Sequence, residues 1–492
     1  MTGVPKVDAA GSSAPGPRRP PGRHRPAAAR RAPGPPEPPD PLVAQITDPD
    51  PRIRRRAIQA LAERDDARYR TLFEAAASDP DVGVRAGVAG ALGRLARAES
   101  REPLGGLLED PDARVRAAAA FAFSRIPDRS ILPRLVARLD DRSAEVRYAA
   151  TLALGHFADP STRSALTDRL RDVHDRVRRE AVLALDRLGG DTLVEEIRPY
   201  LRDPAPRVRI AAAVVLGRRQ DSTSVPYLAD RLAKAPLWER PAIAVALGRI
   251  GDPRAVPALL AAAQDPNPSI RVCAIHALGT MRAPEAGPTA RAALADPAWS
   301  VRGAAALALG IVGGPEDLGR LGPLLRDPHP WPRRGAVYAL GTLDLTETTP
   351  EIRERLRDDD PEVRLAAVWV AGRWADDGAR SRLLALLRDA RPRPVRSAPT
   401  LAQGEGAVRL ASDADERLFG ALIMALGAIA QRVGDEGIVG HLRELYGTLP
   451  DAALDAPVRA PAPLGPGGPP VPLRELFERV LAGDDGEAGD VC

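Results

Sequence analysis

The side chains most able to do chemistry in this chain stand in a fixed register. Arginine recurs every 31 residues, at Arg54, Arg85, Arg116, Arg147, Arg178, Arg209, Arg240, Arg271, Arg302, Arg333 and Arg364. Six residues before each stands an acid, at Asp48, Asp79, Asp110, Asp141, Asp172, Asp203, Asp265, Asp296, Asp327 and Asp358, with Lys234 alone breaking the column. A guanidinium offers a planar fork of donors that suits a carboxylate or a phosphate. Such a register therefore either binds anions or is paired internally. The remaining reactive groups are scattered. The six histidines are His24, His156, His174, His276, His329 and His441, and no two have zinc-like spacing with a second ligand pair. Cys273 and His276 share a helix face at i, i+3, but two ligands do not make a metal site, and Cys273 reads as a packing residue. Phosphate-loop, Gly-x-Ser-x-Gly and dinucleotide fingerprints do not occur. The expectation is a chain with no catalytic residue, metal, cofactor or small-molecule substrate.

The elements that carry this register are helical. The segments "DRSAEVRYAATLALGHF" from 141, "DPAPRVRIAAAVVLGRR" from 203 and "DPAWSVRGAAALALGIV" from 296 place apolar residues one before Arg and three, six and seven after it, which is one stripe of a 3.6-residue helix. Pro51, Pro206, Pro268, Pro330 and Pro361 sit three before Arg, in the first turn where no N–H is needed. Asp50, Asp81, Asp112, Ser143, Asn267 and Asp360 lie where a capping side chain belongs. Eight after Arg comes glycine, at Gly93, Gly155, Gly217, Gly248, Gly279, Gly310, Gly341 and Gly372. A second helix, such as "PRAVPALLAAAQ" from 253, fills each unit. One hairpin has too small a core to stand alone, so neighbours must stack.

This pattern resembles the HEAT-repeat family, in particular its short-period bacterial branch of phycobilisome-lyase-like repeats. The resemblance implies an all-α, right-handed α-solenoid of about twelve hairpins, with the first helix of each on the convex side and the Arg-bearing helix on the concave side. It also implies that Asp and Arg form ladders between successive repeats, with Asp110, Arg116, Asp141, Arg147, Asp203, Arg209, Asp296 and Arg302 among the rungs. A partly buried Arg needs an acceptor, and a neighbouring Asp supplies it. Relatives with iron-hydroxylase activity carry His-Glu dipeptides, and this chain has none. Bilin lyases share the scaffold, and no catalytic motif of theirs is present.

Charge and composition bound the rest. The net charge is +4, and residues 1–40, with Lys6 and six arginines against three acids, account for all of it. The body is neutral, which argues against the basic groove of a DNA-binding relative. Of 70 basic residues only Lys6 and Lys234 are lysine, as a GC-rich bacterial genome would give. The start of the chain lacks a signal-peptide core, no apolar run reaches a membrane span, and the two cysteines are no disulfide framework. A cytoplasmic protein with no membrane partner is expected.

The organisation follows: an Arg/Pro-rich tail over 1–39, a solenoid over 40–388, an insertion over 389–412, a last repeat over 413–449, a Pro/Gly-rich linker over 450–471, an amphipathic helix over 472–483 and an acidic end over 484–492. Repeats seven and ten depart from the pattern, with Trp238 and Trp331 each flanked by prolines at the hairpin turn, where a bend or a ligand contact would form. On the Arg-bearing helices the fifth residue after Arg is largely apolar, although it lies opposite the buried stripe. There and one after Arg, the candidate partner contacts are Tyr148, Arg179, His276, Arg334, Tyr338 and Trp369. Tyr338 and Trp369 in adjacent repeats place the expected docking site over repeats eight to eleven. The function this supports is a non-enzymatic scaffold or adaptor that takes a protein or peptide in its concave groove. A bilin-lyase-like enzyme or accessory subunit, and nucleic-acid contact through the basic tail, are the two rival readings.

Overall fold

A computed structural model describes residues 40–448, apart from 65, 127, 344–349 and most of 390–412, together with the strands Pro457–Val458 and Val471–Pro472. The N-terminal tail, most of the linker, the expected helix at 472–483 beyond Pro472, and the acidic end lie outside the described residues. The fold is an all-α solenoid. Among the described residues the regular elements are helices, joined by short turns, apart from two antiparallel pairs of two-residue strands, Arg393–Pro394 with Val408–Arg409 and Pro457–Val458 with Val471–Pro472.

Each Arg-bearing helix starts where its sequence dictates. Pro51, Pro206, Pro268, Pro330 and Pro361 are first residues of their helices, where the fixed φ is already helical. The side chains of Asp50, Asp81, Asp112, Asn267 and Asp360 accept from free N–H groups of the first turn. Ser143 occupies the cap position without making that bond. Repeat seven differs because Lys234 prolongs the first helix, Val225–Lys234, and the next begins only at Arg240. Leu237 and Trp238 are left in the connection, 56% and 55% exposed.

The Arg-bearing helices pack directly on one another along the stack, whereas the first helices of adjacent repeats mostly touch far less. The more closely packed layer is the concave one. Glycine sets that spacing. A Cβ added to Gly93 would lie 2.6 Å from the Cβ and 2.8 Å from the Cα of Ala122 in the next repeat. The same meeting joins Gly217 to Ala246 and Gly248 to Ala277. Gly eight after one Arg thus faces Ala six after the next.

The insertion does not break the stack. Gly372 meets Ala425 in the helix Asp413–Val433 as its predecessors meet their own alanines. That helix is therefore the second helix of repeat twelve, whose first helix is Arg380–Asp389 on the other side of the insertion. Residues 413–448 are not one hairpin of the usual order, as the sequence suggests. Glu436–Thr448 follows and packs on the helix Asp413–Val433.

Candidate interaction surface

The 31-residue register resolves into two bonds per arginine. Arg116 Nη1 donates to the carbonyls of Asp110 and Pro111 at 2.8 and 2.9 Å, tying down the turn of its own repeat. Its Nε and Nη2 donate to Oδ2 and Oδ1 of Asp141, in the next repeat, each at 2.8 Å. Asp141 in turn accepts from the Ser143 N–H, which holds the carboxylate in place. The six-residue spacing thus serves the turn, and the carboxylate serves the neighbour. Arg85–Asp110, Arg147–Asp172, Arg178–Asp203, Arg271–Asp296 and Arg302–Asp327 repeat the two-pronged pairing.

Arg209 has no Asp to take, because Lys234 stands in that column. Its fork closes on Glu239, one residue before the next ladder arginine, and Arg231 reaches the same carboxylate. The ladder ends at Arg364, which keeps its bonds to the carbonyls of Asp358 and Asp359 and makes no ion pair among the described residues. Asp389, 25 residues on, belongs to a helix there rather than to the extended turn that the ladder aspartates occupy.

These pairs are mostly shielded from water. Burial alone would raise the carboxyls, but the arginine fork and the N–H two residues ahead outweigh it. Asp79, Asp110, Asp141, Asp172, Asp296, Asp327 and Asp358 are held below the ordinary aspartate range. The carboxylate bound to each fork raises the pKa of Arg85, Arg116, Arg147, Arg178, Arg209 and Arg302 in return. Four of the five N–H donors of Arg116 are engaged within the stack, and the bound carboxylate opposes an approaching phosphate.

The candidate contacts divide into separate groups. Tyr148 is half-buried beneath Arg176, whose guanidinium lies 4.8 Å from the ring centre. Arg179 is half-exposed and lies 3.6 Å from the buried Glu180. His276 is exposed. Arg334, Tyr338 and Trp369 do come together, with Tyr338 edge-on to Trp369 at 5.5 Å and Arg334 over both Trp331 and Tyr338. Tyr338 is not solvent-facing as its column suggests. Neighbouring repeats close over it and leave it 4% exposed. Leu365, one after Arg, is buried in the same way. Trp331 also folds inward, because Gly303 has no side chain to exclude it. Tyr338 is thus not an open anchor; an exposed ring of the C-terminal half is Trp299 instead, 46% exposed and stacked on His329 at 3.7 Å.

The fifth column is surface elsewhere. Phe121 is 46% exposed, and Leu152, Leu183, Val214, Val245 and Leu307 are half-buried. Two further columns share that helix face, two before and nine after Arg, because intervals of seven and four residues are close to whole turns. Nine after Arg stand Arg94, Arg125, His156, Arg187, Arg218 and Arg249, all exposed, in six consecutive repeats. Two before it stand Arg52, Arg114, Arg176 and Arg207, also exposed, interrupted by Gly83 and Glu145 and ended by Trp238; Arg114, Arg176 and Arg207 pair with Asp112, Glu145 and Asp175. The neutrality of the body therefore hides a basic face, contrary to the expectation from net charge. The same 31-residue alignment contains both rows, which become visible once columns beyond the buried stripe are tabulated. Among the described residues no group of His, Cys, Asp and Glu could hold a metal ion, and no helix is long and apolar enough to cross a membrane.

A stack of two-helix units stapled by an inter-repeat Arg–Asp ladder defines an α-solenoid class, and the chain belongs to the HEAT-repeat family. The family model for HEAT repeats matches residues 39–122, 102–186, 170–247, 236–310, 262–323 and 318–402. No curated protein sequence matches the chain. Among solved structures it is similar to YibA of Escherichia coli, at 24% identity over 48% of this chain and 90% of that one, with a TM-score of 0.41. The complex of CpcE and CpcF of phycocyanin lyase from Nostoc matches at 20% identity over 47% of this chain and 97% of that one, with a TM-score of 0.32. Importin beta matches at 13% identity over 90% of this chain and 72% of that one, with a TM-score of 0.49.

Proposed function

We propose that the chain is a non-enzymatic scaffold or adaptor that holds a segment of another protein in its concave groove. One observation carries this reading. The core-facing apolar columns of the Arg-bearing helices are buried, while the fifth column keeps Phe121 exposed and Leu152, Leu183, Val214 and Val245 partly exposed over five successive repeats. A continuous apolar strip on a soluble repeat protein marks an interaction site. A helix or extended segment lying along it would cover one side chain per repeat.

The test is a quantitative pull-down from cells that express the chain naturally, comparing it with Leu152→Asp/Leu183→Asp. Those side chains are half-buried, so circular dichroism must first show that the variant keeps its helicity. Loss of the proteins captured by the unaltered chain supports the groove. Unchanged capture by a folded variant contradicts it.

A further inference from the structure

The groove carries a charge pattern that narrows its occupant, an inference that rests on the reading above. Over repeats three to seven an apolar floor, Phe121 to Val245, runs between a basic row near the ends of the Arg-bearing helices and a mixed row near their starts, where Arg114, Arg176 and Arg207 alternate with Glu145 and pair with Asp112, Glu145 and Asp175. Some of these arginines are held by local acids, as in Arg187–Glu180 and Arg218–Asp186. Arg94, Arg125 and Arg249, all in the row nine after Arg, make no ion pair among the described residues. From repeat eight to repeat ten the corresponding positions include Ser269, Ser300, Thr280 and Thr342 and carry no arginine, which returns only at Arg373 in repeat eleven.

We propose that the partner is a protein segment with an apolar ridge and an acidic flank, seated over repeats two to seven. The floor decides against a nucleic acid. Phe121 is the one aromatic ring among the floor residues of repeats three to seven, and Leu152, Leu183, Val214 and Val245 offer successive bases no face to stack on. A sugar-phosphate backbone laid on them would lose hydration without a hydrogen bond in return. An amphipathic acidic segment satisfies floor and basic rim together. Its carboxylates meet exposed arginines, so association is fast at low salt and slows as salt screens that rim. Trp238, exposed at the repeat-seven end of the mixed row, supplies an aromatic contact where the basic rim finishes.

The test measures fluorescence anisotropy of a synthetic helical peptide, with leucines along one face and glutamates along one flank, bound to the full chain. The glutamate peptide should bind and should weaken at least tenfold with Arg94→Glu/Arg125→Glu. Arg18→Glu/Arg19→Glu, which alters only the tail, should leave binding unchanged, and a peptide with glutamine for every glutamate should bind at least tenfold more weakly. Circular dichroism confirms that the exposed-rim variant is folded. Failure of the glutamate peptide to bind overturns the proposal, as does equal binding by the rim variant, loss on changing the tail alone, or tighter rim-dependent binding of oligothymidylate. If the glutamine peptide binds equally well and Leu152→Asp/Leu183→Asp abolishes it, the acidic partner is wrong and the groove stands. If the floor variant changes nothing, the groove fails as well.

Discussion

Apart from Arg240 and Arg364, each ladder arginine holds two repeats at once, its Nη1 on the turn of its own and its fork on the carboxylate of the next. Removing one strands a charge. Glu239 is 2% exposed, and in Arg209→Ala it would be left with Arg231 alone. Breaking a buried pair from one side costs about 3–5 kcal/mol. The loss should appear as faster amide exchange in repeats six and seven. Arg207→Ala, two residues away and exposed, should change local stability by less than about 0.5 kcal/mol. Equal effects would mean that the register is not structural. The ladder also sets an acid limit. Asp79, Asp110, Asp141, Asp172, Asp296, Asp327 and Asp358 titrate below the unfolded aspartate value of about 3.9, so their contribution is complete above that value and is lost as pH falls through the folded pKa values. Melting temperature should be flat from neutrality down to about pH 5 and drop steeply below about pH 4. A decline already established near neutrality would point to other groups. The Arg and Asp columns and most of the caps were legible in the sequence. The Arg209–Glu239 rung was not, because Lys234 removes the column's acid and Glu239 lies outside the repeat pattern.

At the scale of the helix, glycine has two roles that the sequence alone does not separate. Gly90 and Gly93 are both in the helix Val82–Leu95. A Cβ at Gly90 meets nothing within 4 Å, whereas one at Gly93 runs into Ala122. Gly90→Ala should therefore stabilise by about 0.5–1 kcal/mol through helix propensity. Gly93→Ala should destabilise by about 1–3 kcal/mol by forcing two helices apart. Chemical denaturation of the two variants checks this, and shifts of the same sign would contradict close packing as the reason for the column. The helix register was readable because capping and the buried stripe are local properties. The burial of Tyr338 was not, because it depends on Trp331, Arg334 and Trp369 arriving from the same and adjacent repeats. Open and covered members of one column look alike until the stack is built.

The whole molecule is a line of similar units, so charge and apolarity that look diffuse in one dimension align into rows in three. The solenoid, the place of the insertion and the apolar column could all be read from the 31-residue period. The segregation of a basic face within a neutral body was overlooked, because net charge averages over faces. Stacking about twelve hairpins at about 8–10 Å per repeat gives a rod on the order of 100 Å long. Small-angle scattering should show an elongated particle, and a compact sphere would contradict the stack. The central claim, that the concave face holds a partner, is tested most directly by photo-crosslinking in the native cell. A benzophenone side chain would be placed at Leu183, on the groove floor, or at Glu195, exposed on a first helix. The expected result is a defined protein adduct from position 183 that is absent from position 195. Adducts from position 195 with none from 183 would contradict the account.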